Sequence, residues 1–459
     1  MTKHWALIGG IVLAVLFGLA MHLFGQTPAA AWTTSVVVLC ATWWVFEPVP
    51  IPVTSLVPLA IFPLIGVLDA TDVAESYGSP LVLLMLGGFM LSVAMERSNT
   101  HRRIALSMVK LFGGGGGRTL VFGFMAASAF LSMWISNAAT TLMLLPIAIA
   151  VVDKSQDTAL QVSLLLGVAY AASIGGIGTP IGTPPNLVFM AQMQRDTGSA
   201  PTFLQWMRWS LPIAIVFIPI AGFWLTRHVK NVEQIKLPSV GPWRSEEIRT
   251  LAVFTVTAIL WMTRSEPLGG WSAWLGLENA NDASVALIAV IAMFVIPSGN
   301  EDESKLLDWK TASSIPWGIL ILYGGGIAIA KAFGESGLSE TIGASLSSLA
   351  TVPILIMVAV ICLSVTFLTE VTSNTATATL LMPILAAAAM KADIDPKLIM
   401  VPATISCSFA FMLPVATPPN AIVFGSERLT IRTMAREGFL LNLIGVVVVT
   451  VICLLTFGR

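Results

Sequence analysis

The chain has 459 residues, of which 56% are hydrophobic and only 11% are charged. Soluble domains carry about 25% charged residues, so this composition excludes an ordinary soluble protein. Positive and negative side chains nearly balance at a formal net charge of −1, so the chain lacks the basic excess that nucleic-acid binding requires. The composition therefore predicts a membrane protein that does not bind nucleic acid.

Long stretches without a charged side chain recur along the sequence. Most of them reach the roughly 20 residues that a helix needs to cross a bilayer. The first apolar run, Trp5 to Phe24, exceeds the about 7 to 15 residues of a signal-peptide core and predicts a transmembrane helix within residues 1–36. We therefore expect an all-α polytopic membrane protein, whose charge-free stretches are 5–46, 48–68, 76–95, 119–152, 158–194, 209–226, 311–330, 371–390 and 438–458.

The residues that usually carry redox, metal or catalytic chemistry are scattered. The chain has four histidines and four cysteines, and no Cys-x-x-Cys spacing occurs. This pattern predicts neither a disulfide framework nor a zinc or iron site, and no organic cofactor. No cluster of acid, base and nucleophile is recognisable, so we do not expect an enzyme. The cysteines are Cys40, Cys362, Cys407 and Cys453.

Internal similarity divides the chain into two related halves. The sequence SNAATTLMLLP, which begins at Ser136, matches SNTATATLLMP, which begins at Ser373. Two further pairs occur in the same order at nearly the same separation, and transporters are often built from such repeats with inverted topology. These pairs are Gly-Thr-Pro-Pro-Asn at 182–186 with Ala-Thr-Pro-Pro-Asn at 416–420, and Gly-Gly at 87–88 with Gly-Gly at 324–325.

The repeats predict four regions. Residues 1–36 form the N-terminal transmembrane helix, 37–226 repeat one, 227–249 a cytoplasmic linker and 250–459 repeat two. We expect each repeat to contain a re-entrant hairpin and one Ser-Asn motif. The linker is basic, as is the segment 97–118, and positively charged loops tend to stay in the cytoplasm.

Polar motifs inside apolar segments need a physical reason, because a membrane helix satisfies its own backbone polar groups. Ser, Asn and Thr cap helices, and proline is tolerated in the first turn. Each motif, the Gly-Gly pairs included, is therefore expected to start a half-helix at membrane depth. Such a break frees oxygen atoms for Na⁺ and presents N–H groups to an anion. A proline kink or close packing of small residues is the alternative for a single motif, but matched pairs in both halves favour a binding site.

Fixed positive charge is missing near the motifs. No Arg or Lys lies within 119–152, 158–194 or 371–390. An anionic substrate would therefore need co-bound cations and helix N-termini to neutralise it. Glu370 is the main intramembrane carboxylate, and because Met133 stands at its position in repeat one, it is not part of the symmetric site. We expect it to have a structural hydrogen-bonding role, with binding of a proton or cation as the alternative.

These motifs resemble those of the divalent anion:sodium symporters, the dicarboxylate, citrate and sulfate carriers of the ion transporter superfamily. The resemblance rests on Ser136-Asn137-Ala138, on Ser373-Asn374-Thr375, on both Thr-Pro-Pro-Asn loops and on the stretch from Glu47 to Thr54. It implies about eleven transmembrane helices, two re-entrant hairpins, a homodimeric scaffold domain and a transport domain that moves like an elevator. It also implies Na⁺ as the coupling ion and a small dianion as substrate.

The resemblance also assigns residues to ligands. One Na⁺ site would use Ser132, Ser136, Asn137 and Gly182, and the other Thr369, Thr372, Asn374 and Ala416. The substrate would contact Asn137, Ala138, Thr183, Pro184, Asn374, Thr375, Thr417 and Pro418. Ala138 departs from the family pattern, since dicarboxylate carriers usually have threonine there. The missing hydroxyl would weaken one carboxylate contact, make room for a bulkier anion, or be replaced by Thr140, Thr179 or water.

The leading hypothesis is Na⁺-coupled symport of a divalent anion, a C4 dicarboxylate such as succinate, across a bacterial inner membrane. A dicarboxylate exchanger of the same fold and a Na⁺-coupled carrier of citrate or sulfate are the alternatives within the family. A channel and a membrane enzyme are alternatives of other classes. The sequence leaves the choice of anion open.

Overall fold

The computed structural model describes residues 2–112, 116–155, 157–229, 241–266, 269–300, 304–345 and 352–458. Over these ranges the chain is helical, apart from an isolated β-bridge between Pro297 and Lys305. This confirms the all-α fold class. The expected linker lies partly outside the described residues, at 230–240.

The helices of the first half are α1 (Thr2–Leu23), α2 (Pro28–Phe46), α3 (Ile51–Thr54), α4 (Val57–Leu64), α5 (Ala70–Tyr77), α6 (Pro80–Arg97), α7 (Thr100–Phe112), α8 (Gly117–Ser132), α9 (Asn137–Ser155), α10 (Thr158–Gly176), α11 (Pro184–Thr197) and α12 (Phe203–Thr226).

The second half contains eleven further helices in the described ranges: α13 (Ser245–Thr263), α14 (Gly270–Trp274), α15 (Asp282–Val295), α16 (Trp309–Ala312), α17 (Trp317–Glu335), α18 (Leu338–Ser345), α19 (Ile354–Leu368), α20 (Asn374–Lys391), α21 (Lys397–Ser406), α22 (Pro418–Phe424) and α23 (Ile431–Phe457). Across the described part of the chain, 8 helical segments are long and apolar enough to cross a membrane. Shorter apolar helices accompany them, such as Gly117–Ser132 and Ile354–Leu368. The polytopic membrane architecture is thereby confirmed, whereas the number of eleven spans stays a prediction.

Four helices begin at the polar motifs, within apolar surroundings. The Ser-Asn motifs start α9 and α20, and the Thr-Pro-Pro-Asn motifs start α11 and α22. Thr183 and Thr417 precede the proline pairs in extended conformation, with φ values of −145° and −141°. Thr417 Oγ1 accepts a hydrogen bond of 3.3 Å from the amide of Asn420. The expectation that helices begin at these motifs is confirmed at all four places, with proline opening α11 and α22 and a threonine side-chain cap at Thr417.

The Gly-Gly pairs behave differently. Gly87 and Gly88 lie inside α6, and Gly324 and Gly325 lie inside α17, so the expectation that they start half-helices is wrong. Their role is close packing: a Cβ atom added to Gly87 would lie 2.6 Å from the Cβ atom of Ala286. A missing side chain lets two helices approach without interrupting either one.

The two halves of the chain pack into each other through α11 and α22, the helices that begin at the Thr-Pro-Pro-Asn motifs. The α11 helix packs against α17, α20 and α21 of the second half, and α22 packs against α9 and α10 of the first. Tyr170 on α10 extends this contact, because its hydroxyl donates a hydrogen bond of 2.6 Å to the carbonyl oxygen of Phe411, between α21 and α22. The starts of all four half-helices are therefore held in one region.

Candidate functional site

All four motifs surround one cavity of about 650 Å³, which we call the motif cavity. Every residue expected to contact the substrate lines it: Asn137, Ala138, Thr183, Pro184, Asn374, Thr375, Thr417 and Pro418. Four residues expected to bind Na⁺ in addition to the two asparagines also line it: Ser136, Gly182, Thr372 and Ala416. The remaining two, Ser132 and Thr369, are fully buried and touch the asparagines from behind. The structure thus brings the predicted residues of both halves together.

The lining of the motif cavity carries almost no fixed charge. Glu47, an exposed residue with a left-handed backbone (φ 45°), is the one charged side chain among the described lining residues. The first turns of α9, α11, α20 and α22 all contribute to the wall. A helix N-terminus offers unpaired N–H groups and a partial positive charge. The cavity can therefore hold an anion by backbone donors, provided that cations supply the remaining charge.

The first expected Na⁺ site shows an excess of oxygen atoms over protons. Ser132 Oγ contacts Asn137 Oδ1 and lies 2.6 Å from the carbonyl oxygen of Ala172. A serine hydroxyl has one proton, so it can donate to only one of these two acceptors. A Cβ atom added to Gly182 would lie 3.0 Å from the backbone carbonyl oxygen of Ser132. The backbones of Gly182 and Ser132 are therefore close together at this site. A small cation would satisfy the oxygen atoms that the hydroxyl proton leaves unpaired.

The second expected site repeats this arrangement. Thr369 Oγ1 lies 2.7 Å from Asn374 Oδ1 and 3.0 Å from the carbonyl oxygen of Cys407, again with one proton for two acceptors. Thr372 Oγ1 lies 2.8 Å from the carbonyl oxygen of Leu368 and pairs with a neighbouring threonine hydroxyl at 2.6 Å. The donors at both sites are neutral oxygen atoms, the type that hard cations such as Na⁺ prefer.

Two asparagines that the sequence analysis did not assign complete the site. Asn186 Nδ2 donates hydrogen bonds to the carbonyl oxygens of Gly176 (3.1 Å) and Thr179 (2.7 Å). Asn420 Nδ2 makes two equivalent bonds, both of 3.0 Å, in the second half. Both side chains are fully buried, and neither Oδ1 atom has a hydrogen-bond partner. The amide groups of these asparagines hold the non-helical segments before α11 and α22 in place. The sequence signal that could have identified them is their position at the end of each Thr-Pro-Pro-Asn motif.

Glu370 stabilises the second non-helical segment. Its Oε1 atom accepts hydrogen bonds from the amide of Met412 (2.9 Å) and from Asn442 Nδ2 (2.7 Å), and its Oε2 atom accepts one from the amide of Leu413 (3.0 Å). The side chain is 3% exposed, so the three donors compensate for a buried carboxylate. This agrees with the expected structural role.

Neither Thr140 nor Thr179 supplies the hydroxyl that is missing at Ala138. Ala138 lines the motif cavity, but neither Thr140 nor Thr179 does. Thr179 donates to the carbonyl oxygen of Met133, and Thr140 Oγ1 is buried without a partner. Of the three interpretations of the missing threonine, replacement by these two residues is therefore excluded in this conformation.

Comparison with known proteins identifies the family. The profile described as "Sodium:sulfate symporter transmembrane region" matches residues 1–458. The chain belongs to this family. The resemblance inferred from the motifs is thereby confirmed, and the protein is a membrane transporter rather than an enzyme.

Curated relatives extend over nearly the whole chain. A protein of Staphylococcus saprophyticus named sodium-dependent dicarboxylate transporter SdcS is 37% identical over 473 residues, covering 97% of this chain and 90% of its own length. A Staphylococcus aureus protein of the same name is 38% identical over 470 residues, covering 96% and 90%. Among solved structures, the YdaH transporter of Alcanivorax borkumensis is similar in fold, with a TM-score of 0.61, 16% identity, and coverage of 86% of this chain and 88% of that one.

Proposed function

We propose that the protein couples the inward movement of Na⁺ to the import of a C4 dicarboxylate such as succinate. The relatives named as sodium-dependent dicarboxylate transporters, at 37% and 38% identity, support this assignment. The observation that carries it is the motif cavity itself, where four half-helix N-termini meet beside two oxygen-rich sites with one charged side chain in the described wall. Such a cavity cannot neutralise a dianion without cations.

The two ligands have separate places in this proposal. One Na⁺ ion is held by Ser132, Ser136, Asn137 and Gly182, and a second by Thr369, Thr372, Asn374 and Ala416, partly through backbone carbonyl oxygens. The carboxylates bind between them, on the amides of the two asparagines and the hydroxyl of Thr375, with the Thr-Pro turns at 183–184 and 417–418 beside them. The cations raise the affinity for the dianion by direct charge attraction, which couples the two flows.

The wider organisation follows the family resemblance. We propose that the repeats 37–226 and 250–459 have inverted topology and that a homodimeric scaffold supports a transport domain that moves across the membrane like an elevator. A site between two repeats near the bilayer midplane suits alternating access. The proposed location is a bacterial inner membrane, with the basic segments 97–118 and 227–249 in the cytoplasm.

Uptake into proteoliposomes tests the proposal. Radiolabelled succinate is expected to accumulate with an inward Na⁺ gradient and not with K⁺ in place of Na⁺. Asn137→Ala is expected to abolish uptake, whereas Asn300→Ala, at an exposed asparagine far from the motifs in sequence, is expected to retain it. Accumulation that requires internal dicarboxylate and ignores Na⁺ would contradict symport and indicate exchange.

A second candidate substrate class follows from Ala138. Because this residue lacks the hydroxyl that dicarboxylate carriers usually have, the cavity has more room and one donor fewer at this point. Unlabelled citrate, 2-oxoglutarate and sulfate, added as competitors, rank the anions. If citrate or sulfate competes more strongly than unlabelled succinate, that anion and not a C4 dicarboxylate is the preferred substrate. The proposed Na⁺ coupling is unaffected by this outcome.

A further inference from the structure

A second cavity, of about 510 Å³, lies beside the motif cavity and extends along two helices that line both, α11 and α17. On α17, Gly318 lines the motif cavity and Gly334 lines the second one, which at 1.5 Å per residue puts them about 24 Å apart. On α11, Pro184 lines the motif cavity and Arg195 the second one. We call the second one the acidic cavity, because its charged lining residues are Asp72, Glu75, Asp196, Glu335, Glu340, Arg195 and Lys331.

The wall between the two cavities is thin, and Tyr323 forms part of it. The Tyr323 side chain lines the acidic cavity, and its hydroxyl donates a hydrogen bond to the carbonyl oxygen of Pro184, which lines the motif cavity. On α20, Thr375 lines the motif cavity and Thr379, one helical turn later, lines the acidic one. The Tyr323 side chain and one turn of α20 therefore separate the two spaces.

The Tyr323 hydrogen bond joins two helices, α17 and α11, whose buried apolar residues lie mostly in different hydrophobic cores. Most buried apolar residues of α17, such as Ile329 and Phe333, belong to the smaller core together with α2 and α4. The buried apolar residues of α11, such as Leu187 and Phe189, belong to the larger core. Tyr323 is 1% exposed and, like Leu320 on the same helix, belongs to the larger core. Its bond to Pro184, in the first turn of α11, thus ties a helix that lies mainly in the smaller core to one that lies in the larger core.

We infer that Tyr323 is the gate residue of the transport path. Its hydroxyl holds the first turn of α11 against α17 and closes the motif cavity toward the acidic cavity. This bond must break before the substrate site can face the acidic cavity. Tyr323 acts through the position of α11 and not by contact with substrate. The inference rests on the proposed function only in taking the motif cavity as the transport site.

Cysteine accessibility tests the gate without any substrate. The four native cysteines are all buried, so they give a low background. Val415 is 82% exposed and lines the motif cavity, so Val415→Cys reports which face of the membrane this cavity reaches. A membrane-impermeant maleimide is added to one face or the other of sealed vesicles that contain the full-length protein, with Tyr323 intact or changed by Tyr323→Phe.

A shift in labelling between the two faces is the expected result. Loss of one buried hydrogen bond changes a two-state ratio roughly twofold to tenfold. In Tyr323→Phe, labelling from the face on which the motif cavity opens is expected to fall and labelling from the other face to rise, so that the ratio of the two changes by this factor. Tyr77→Phe is the matched control, because the Tyr77 hydroxyl also donates to a backbone carbonyl, that of Ser55, and lines neither cavity.

Three outcomes overturn the inference. They are unchanged labelling in Tyr323→Phe, a parallel fall from both faces, and an equal shift in Tyr77→Phe. The melting temperature of both variants in detergent shows that they are folded, and Tyr323→Leu, which removes the ring as well, is expected to shift the labelling in the same direction. Because maleimide labelling needs no dicarboxylate, the result is independent of the succinate uptake that tests the proposed function.

Discussion

Thr369 Oγ1 lies 2.7 Å from Asn374 Oδ1, and the pair repeats in the second half the contact of Ser132 with Asn137 in the first. In both halves the hydroxyl closes a helix break from the buried side, while the asparagine faces the motif cavity. In both halves the same hydroxyl also approaches a backbone carbonyl oxygen. Each half thus places one hydroxyl between an asparagine and a backbone carbonyl oxygen.

Removing the Thr369 hydroxyl is expected to weaken Na⁺ dependence. In Thr369→Val the second site loses one oxygen atom and the contact that orients Asn374, so the Na⁺ concentration for half-maximal uptake should rise roughly 10- to 100-fold, as for loss of an orienting partner at other metal sites. Thr366→Val is the matched control, because the Thr366 hydroxyl, in the last turn of α19 just before Thr369, is buried without a hydrogen-bond partner. An equal rise in both variants would contradict the site.

Restoring a hydroxyl at position 138 is expected to tighten dicarboxylate binding. Ala138→Thr adds a donor at the position that matches Thr375 in the other half, and one new hydrogen bond to a charged group contributes about 1.5 kcal/mol, so the KM for succinate should fall roughly tenfold. Ala138→Val has nearly the same shape without the hydroxyl and is expected to raise the KM. If both variants change KM alike, volume and not hydrogen bonding determines the effect at this position.

Neutralising Glu370 is expected to destabilise the segment that carries Ala416. In Glu370→Gln an amide NH₂ group replaces one acceptor oxygen, so one buried donor among Met412, Leu413 and Asn442 loses its partner. The cost should be about 1 to 3 kcal/mol of unfolding free energy, measured by denaturation in detergent. Glu278→Gln, at an exposed glutamate, serves as control. Unchanged stability in Glu370→Gln would show that the hydrogen bonds from these three donors to Glu370 do not contribute measurably to the free energy of unfolding.

Acidification is expected to destabilise the protein partly through His101. Burial lowers the pKa of this histidine on α7, outside the membrane-spanning helices, and the neighbouring Arg102 lowers it further, while the 3.0 Å contact of Nδ1 with the carbonyl oxygen of Met95 opposes the shift. The neutral form therefore favours the folded state. Its stabilisation is complete above the unfolded pKa of about 6.5 and is lost as the pH falls below that value.

Thermal melting in detergent at pH 7.5 and 5.5 measures this effect. The fall in melting temperature between the two values should be smaller in His101→Gln than in the unchanged protein. His4→Gln, at an exposed histidine of α1, should leave the fall as it is. An undiminished fall in His101→Gln would assign the pH dependence to other groups.

The starts of the four half-helices could be predicted because their cause is local. A Ser-Asn or Thr-Pro-Pro motif favours a helix start whatever surrounds it, so Asn137 and Pro418 begin helices where expected. The Gly-Gly pairs could not be interpreted in the same way. Glycine permits both a helix break and a close helix contact, and only the neighbour, Ala286 beside Gly87, decides between them.

The hydrogen bonds that the site makes to residues far away in the sequence could not be predicted. Nothing near Ser132 indicates that Ala172 will offer it a carbonyl oxygen, and nothing near Tyr323 points to Pro184. Such contacts arise from how distant helices pack, which the motifs do not encode. Asn186 lies between these cases: its motif was recognised, but its bonds to backbone carbonyl oxygens depend on the path of the chain before α11.

The interleaving of α11 and α22 has a consequence for how the protein is made. When the first half leaves the ribosome, α11 has no α20 or α21 to pack against, because those helices are not yet synthesised. Domains usually fold as units during synthesis, N-terminal part first, but here α11 must wait for the C-terminal half. Biogenesis should therefore pass through a membrane-inserted intermediate with an unpaired α11, and a chain truncated before α20 should be a substrate for membrane quality-control proteases.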